Sequence, residues 1–395
     1  MSEQPVGAAQ LISCDQCHHE VPALEFCVRC GDPLLAEKQR AGLSGRRSDR
    51  FAAAPGERAL ALHFSTLFPQ LPRADMATFQ IAFVIGLGVI VAFAAFGLYP
   101  VALAAALVLV PLLLILYIWE VDIYEDEPIR VLAFTGAWGL VAGGLVSLAI
   151  RALVPVESGL LQGPTTGAIL LRGVLIPLIG GALMLIGPLI LLPYRKFNDV
   201  LDGATFGATS AVAFVAGLGL VQSLDLFAGG LQPGGDPMPW IVRLLSLGVA
   251  TPLIAAGAIG AAAGAAWLQW RAPVTDRHRL GLLGRPVVAA IAAGLLLVAA
   301  AVGQLLLPFL PALIWLGILA AIALIWLRAV IHLGLLQEAA EIDVGPEIRC
   351  PNCARLTPAH SFCGNCGFSL RAAPKTRTVP GAEARPRTQS PQARP

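Results

Sequence analysis

The chain has 395 residues, 56% of them hydrophobic and only 13% charged, with a mean hydropathy of +0.74 and a formal charge of +2. That balance excludes a soluble globular protein and fits a polytopic helical membrane protein, in which apolar runs alternate with short polar connections. The net charge says little by itself, because the basic residues cluster in the tails and in particular loops.

The eight cysteines all lie toward the two ends, none in the apolar centre, and they form four Cys-x-x-Cys pairs. Near the N-terminus, Cys14-Asp-Gln-Cys17 is followed after nine residues by Cys27-Val-Arg-Cys30-Gly31. Each pair folds readily as a tight turn that aims two sulfurs at one point, and two such turns supply the tetrahedral thiolate set that a structural Zn²⁺ prefers. Gly31 allows the positive φ often needed beside such a turn. The spacing favours a zinc ribbon over a redox dithiol. His18 and His19 are possible substitute ligands, but four cysteines already close the site. A polar, cysteine-bearing segment precedes the first apolar run, so no cleavable signal peptide is expected.

After the ribbon at 10–35, residues 36–75 read as a basic, Gly/Ser/Ala-rich linker carrying Arg40, Arg46, Arg47 and Arg50. Within it Glu57–Phe68 places Leu60, Phe64, Leu67 and Phe68 on one helical face, either an interfacial helix or a packed pre-membrane helix. The membrane domain is expected over 76–337, with spans at roughly 79–98, 101–119, 131–154, 168–192, 204–221, 241–268, 287–307 and 312–335. Pro111, Pro177, Pro188 and Pro252 fall inside spans, where kinks are expected. The connection 120–130 holds five carboxylates in eight residues; it reads as a solvated turn, with a divalent-cation site as the alternative.

With the N-terminus inside, Arg195, Lys196, Arg271, Arg277, Arg279, Arg285 and both basic tails are cytoplasmic, whereas the outer connections hold few basic residues. Positive-inside bias therefore supports eight spans with both termini in the cytoplasm, and this puts both cysteine units in a reducing compartment. Asp199 and Asp202 lie at the membrane edge and are expected to cap the next helix or pair with Arg195. Arg328 and His332, four apart near the cytoplasmic end of the last span, are expected to snorkel, and Gln304 is isolated.

A second ribbon is expected at 346–370, where Cys350-Pro-Asn-Cys353, nine residues and Cys363-Gly-Asn-Cys366-Gly367 repeat the first spacing. Residues 371–395 are Pro/Arg/Thr-rich and too poor in apolar residues to fold. The fold expected is thus an all-α polytopic bundle of about eight transmembrane helices with a zinc ribbon at each end. Two structural Zn²⁺ sites are expected, on Cys14, Cys17, Cys27 and Cys30, and on Cys350, Cys353, Cys363 and Cys366. Abundant Ala, Gly and Pro, with Arg above Lys, point to GC-rich bacterial coding and hence to a bacterial inner membrane.

Glu127-Pro128 ends the acidic connection, and Pro177, Asp202-Gly203, Phe206-Gly207 and Phe214 follow it along the next spans. In the order and spacing of these residues, over about 127–260, the chain resembles the PrsW family of intramembrane glutamic-type metalloproteases, whose acidic segment likewise ends in Glu-Pro. The resemblance implies a membrane protease scaffold without its chemistry. Gly180-Gly181-Ala182-Leu183-Met184 stands where the family has Glu-Glu-x-x-Lys, and Leu218 where it has a further Glu. The family's histidine has no counterpart either, since none occurs between His63 and His278.

The expected function is a non-catalytic, PrsW-like membrane protein that works through its lipid setting and an unidentified protein partner held by its bundle, its ribbons or both. Two readings compete with it: a hydrolase using the acidic 120–130 connection, and a transporter, for which polar residues at the bundle midplane are scarce. Nucleic acid is not expected as a partner, because neither ribbon interleaves basic and aromatic residues.

Overall fold

The computed structural model describes residues 11–14, 20–29, 31, 34, 77–121, 129–153, 165–194, 196–228, 230–232, 237–272, 281–282, 284–341, 344–350, 353–367 and 370. The basic linker with its Glu57–Phe68 segment, the acidic connection over 122–128 and the tail beyond 370 lie outside the described residues.

Eight of the described helices are long and apolar enough to cross a membrane. They are α1 (Ala77–Ala95), α2 (Tyr99–Val121), α3 (Ile129–Leu153), α4 (Thr166–Leu191), α5 (Val200–Ala228), α6 (Met238–Trp270), α7 (Pro286–Leu306) and α8 (Phe309–Glu341). Two short antiparallel hairpins flank them: β1 (Leu11–Ser13) with β2 (Glu20–Pro22), and β3 (Glu347–Arg349) with β4 (Leu356–Pro358). The chain is thus an all-α membrane-type bundle with a small β-hairpin at each end.

The bundle is organised around α5, which packs between α3 and α6; α2 and α4 also lean on it, α7 and α8 cover α6, and α1 touches mainly α2. Burial follows that order: 83% of the apolar window of α5 is buried inside the protein, against 11% for α1. The cause is residue size. Methyls at Gly139 and Gly143 of α3 would strike the carbonyl oxygens of Ser210 and Phe214 on α5, and one at Gly217 would strike that of Leu140. Gly207 likewise lies against Ile259 and Ala263 of α6. Apolar side chains gain little by leaving lipid for protein, so close backbone approach through small residues is what holds such helices together.

α5 begins earlier than its apolar run because its polar start is capped. Asp199 Oδ1 accepts from the Leu201 N–H at 3.1 Å, and Asp202 Oδ2 accepts from the Asp199 N–H at 3.1 Å. This reciprocal capping box spends both aspartates on orphan donors of the first turn.

Two of the in-span prolines sit directly after π-helical turns. Ile169–Leu175 precedes Ile176-Pro177 in α4, and Ser246–Ala250 precedes Thr251-Pro252 in α6. In each, the residue before the proline bonds five residues back, Ile176 to Leu171 and Thr251 to Ser246. The wider turn relieves the clash between a proline ring and the carbonyl one turn earlier.

Arg328 departs from the expected snorkelling. It is only 5% exposed, enclosed by protein, and α8 runs on past it to Glu341. Nothing is described of the His332 side chain.

Candidate metal centre

The C-terminal hairpin brings together the four cysteines that spacing selected. The sulfurs of Cys350, Cys353, Cys363 and Cys366 all lie within 4.8 Å of one another. Across the cluster, Cys350 Sγ to Cys366 Sγ and Cys353 Sγ to Cys363 Sγ are each 3.8 Å. Four thiolates at about 2.3 Å from a tetrahedral Zn²⁺ stand roughly 3.8 Å apart, so the spacing fits that ion, whereas a disulfide needs about 2.05 Å.

Local backbone bonds build the cluster. Strand β3 delivers Cys350, whose N–H donates to the Arg355 carbonyl at 2.9 Å while its carbonyl accepts from the Ala354 N–H at 2.9 Å. Ala354 adopts φ +58°, which lets the chain double back between Cys353 and β4. In the second turn the Gly367 N–H donates to the Cys363 carbonyl at 2.8 Å, with Gly367 at φ +66°, where a side chain would be strained. The Gly364 N–H donates to Thr357 Oγ1 at 2.9 Å, and Asn365 Nδ2 to the Leu356 carbonyl at 2.8 Å, which ties the second turn to β4.

The electrostatics suit a cation. The hydrogen bond from Cys350 pulls the Cys363 thiol down to about 4, and the backbone N–H groups of Asn365 and Cys366 add to this against the opposing effect of burial. A thiolate is the form that binds metal. The residues thus fit a structural cation site with four soft ligands.

At the N-terminus only part of the corresponding set is described. Cys14 follows β1, Cys27 lies before the second turn, and both are fully buried beside Val21 and Val28. Cys17, Cys30, His18 and His19 lie outside the described residues. What is described repeats the C-terminal unit: the Gly31 N–H donates to the Cys27 carbonyl at 2.8 Å with Gly31 at φ +77°, and the two hairpins share one register pattern.

The bundle positions singled out by the family resemblance come together, but in apolar packing. A Cβ on Gly180 would meet the Phe214 ring at 3.3 Å, and one on Gly181 would meet Leu297 at 3.0 Å. Met184, Phe214 and Leu218 belong to the same core cluster as Leu297, and the Met184 carbonyl accepts from Ser210 Oγ at 2.8 Å. Trp138 Nε1 closes over Gly187 and donates to the Leu183 carbonyl at 2.9 Å. Asp202 lies at the helix start, on the capping box. No protein-family model matches the chain, and no curated protein or solved structure matches it significantly.

One feature escaped the sequence reading. Gly173-Val-Leu-Ile-Pro177-Leu-Ile and Gly248-Val-Ala-Thr-Pro252-Leu-Ile are the same motif, and both carry the π turn. The end of α7 touches the two motifs: Val302 packs on Gly173, and Gln304 Nε2 reaches Thr251 Oγ1 at 3.4 Å. A search for internal repeats finds it.

Proposed function

We propose that this chain is a PrsW-like pseudoenzyme of a bacterial inner membrane, with both termini cytoplasmic, acting by partner binding through its bundle and a pair of zinc ribbons. The observation that carries the loss of catalysis is the apolar packing of Gly180 against Phe214, with Met184 and Leu218 in the same cluster. Hydrolysis by acid–base chemistry needs carboxylate, histidine or metal-bound water within hydrogen-bond reach of the scissile carbonyl. That cluster offers no such group, and the aspartate that the resemblance singles out, Asp202, is occupied in a capping box. The cysteine clusters then serve as zinc-held folding units, on Cys350, Cys353, Cys363 and Cys366, and on Cys14, Cys17, Cys27 and Cys30. Ribbons of this size present a rigid surface to another protein without a large core of their own.

The test is reconstitution of the purified protein into liposomes with membrane-spanning and membrane-proximal peptides, read by mass spectrometry. No product above the protein-free background is expected. A defined product lost in Glu127→Gln or Asp202→Asn, with the melting temperature kept, would overturn the reading. Site-specific photocrosslinking from Asn365 in native membranes, followed by identification of the adduct, then names the partner.

A further inference from the structure

The two hairpins meet, and they meet symmetrically. The Phe26 N–H donates to the Gly364 carbonyl at 2.8 Å, and the Phe362 N–H donates to the Val28 carbonyl at 2.9 Å. These are counterpart residues: 336 positions separate Phe26 from Phe362 and Val28 from Gly364, as they separate Cys14 from Cys350 and Cys27 from Cys363. A contact that runs from i to j and back from j to i marks an isologous, two-fold interface, here within one chain.

Side chains follow the same rule. Leu24 of the first unit closes over Gly364, while its counterpart His360 sets Nδ1 2.9 Å from the Val28 carbonyl. The Phe362 ring covers Gly31, where a Cβ would come within 3.0 Å of it. Val344, on the chain entering the second unit, packs into the cluster of Cys14 and Cys27.

We propose that the two ribbons form a single folding unit with two linked zinc sites, each loaded site strengthening metal binding at the other. This rests on the two-ribbon reading above and adds the linkage. The reason lies in where the bridge falls. Cys27 stands between Phe26 and Val28, and Cys363 between Phe362 and Gly364, so the backbone fixed by the opposite ribbon is the backbone that carries a metal ligand. A unit of roughly 25 residues is too small to hold its fold by apolar burial, so metal binding and folding are one event. Stripping one ribbon therefore removes the bridge that orders the ligand turn of the other. By linkage the effect is reciprocal, and couplings of this kind are commonly about 5- to 150-fold in affinity.

The experiment is zinc competition with a chromophoric chelator on the full-length protein in nanodiscs. Wild type is compared with Cys353→Ser, which reports on the N-terminal site alone, and with Cys17→Ser, which reports on the C-terminal site alone. The expected result is two zincs in wild type and, in each variant, one remaining zinc held more weakly by at least about fivefold. Leu24→Asp keeps all eight cysteines but opens the interface, and is expected to retain two zincs, both released more readily. Remaining sites that match wild type within about twofold overturn the linkage while leaving two ribbons standing. Loss of affinity confined to the N-terminal site in Leu24→Asp is local damage and also counts against linkage. A wild-type protein holding one zinc sinks the two-ribbon reading itself, and this proposal with it.

Discussion

Adding a single methyl at Gly143 tests whether backbone contact between α3 and α5 holds the bundle. In Gly143→Ala the new Cβ overlaps the Phe214 carbonyl oxygen and comes within 2.8 Å of the Phe214 carbonyl carbon and 3.0 Å of the Leu218 nitrogen. All three are main-chain atoms, so no side-chain rotation relieves the overlap, and the helices must part by about 1 Å to reach an ordinary C···O separation near 3.3 Å. A gap of that size forfeits a quarter to a half of each neighbouring contact. If about 40 atom pairs worth roughly 0.15 kcal/mol each lose a third, the loss is about 2 kcal/mol. Alanine's better helix propensity returns at most about 1 kcal/mol. The control is Gly88→Ala on peripheral α1, where the added methyl meets nothing within 4 Å. Thermal unfolding in detergent, followed by tryptophan fluorescence, should place Gly143→Ala below wild type and Gly88→Ala level with it or slightly above. If Gly143→Ala melts with the control, close approach is not what holds α3 to α5.

Asp199→Ala removes the Leu201 cap and should cost about 0.5–2 kcal/mol by the same unfolding assay. Metal content should be untouched. Topology is tested by introducing single cysteines at the exposed positions Lys196 and Leu231 and treating intact cells with a membrane-impermeant thiol reagent. Labelling is expected at Leu231→Cys and not at Lys196→Cys, and the reverse pattern would invert the bundle. Acidification should strip the C-terminal site, because protons compete with metal for thiolate. In the metal-free ribbon the Cys363 thiol sits below its ordinary value of 9.0, so its thiolate contribution is complete above that value and lost as pH falls through about 4. Zinc release that does not respond to acidification would refute thiolate ligation.

The spans were legible because a membrane-crossing helix needs little beyond length and an apolar surface, and the expected starts fall within a few residues of those observed. The ends of α5 and α8 were not. The expected spans run over 204–221 and 312–335, but the Asp199–Asp202 capping box carries α5 back to Val200, and α8 continues through polar residues to Glu341. The C-terminal sulfur cluster was legible because ligand spacing along the chain sets ligand spacing in space. The docking of ribbon on ribbon was not, since the cysteines fix each turn and say nothing of the strand edge beyond it.

The repeated Gly-Val-x-x-Pro-Leu-Ile motif shows why averaging over a window hides some of the structure. A hydropathy scan scores Leu170–Ile179 and Leu245–Ile254 as uniform apolar helix, although the geometry turns on two residues in each. Proline offers no N–H and its ring presses on the carbonyl four residues earlier, which here belongs to Gly173 or Gly248. The π turn takes up that strain by moving the bond of the preceding residue to five back. A glycine at that place also leaves room for a neighbour, Val302 at Gly173 and Ala106 at Gly248, so the glycine face of each irregular turn is covered by protein. Irregular backbone is tolerated at membrane depth only under such cover. Glycine and proline four apart therefore form one device used twice, and the end of α7 touches both copies.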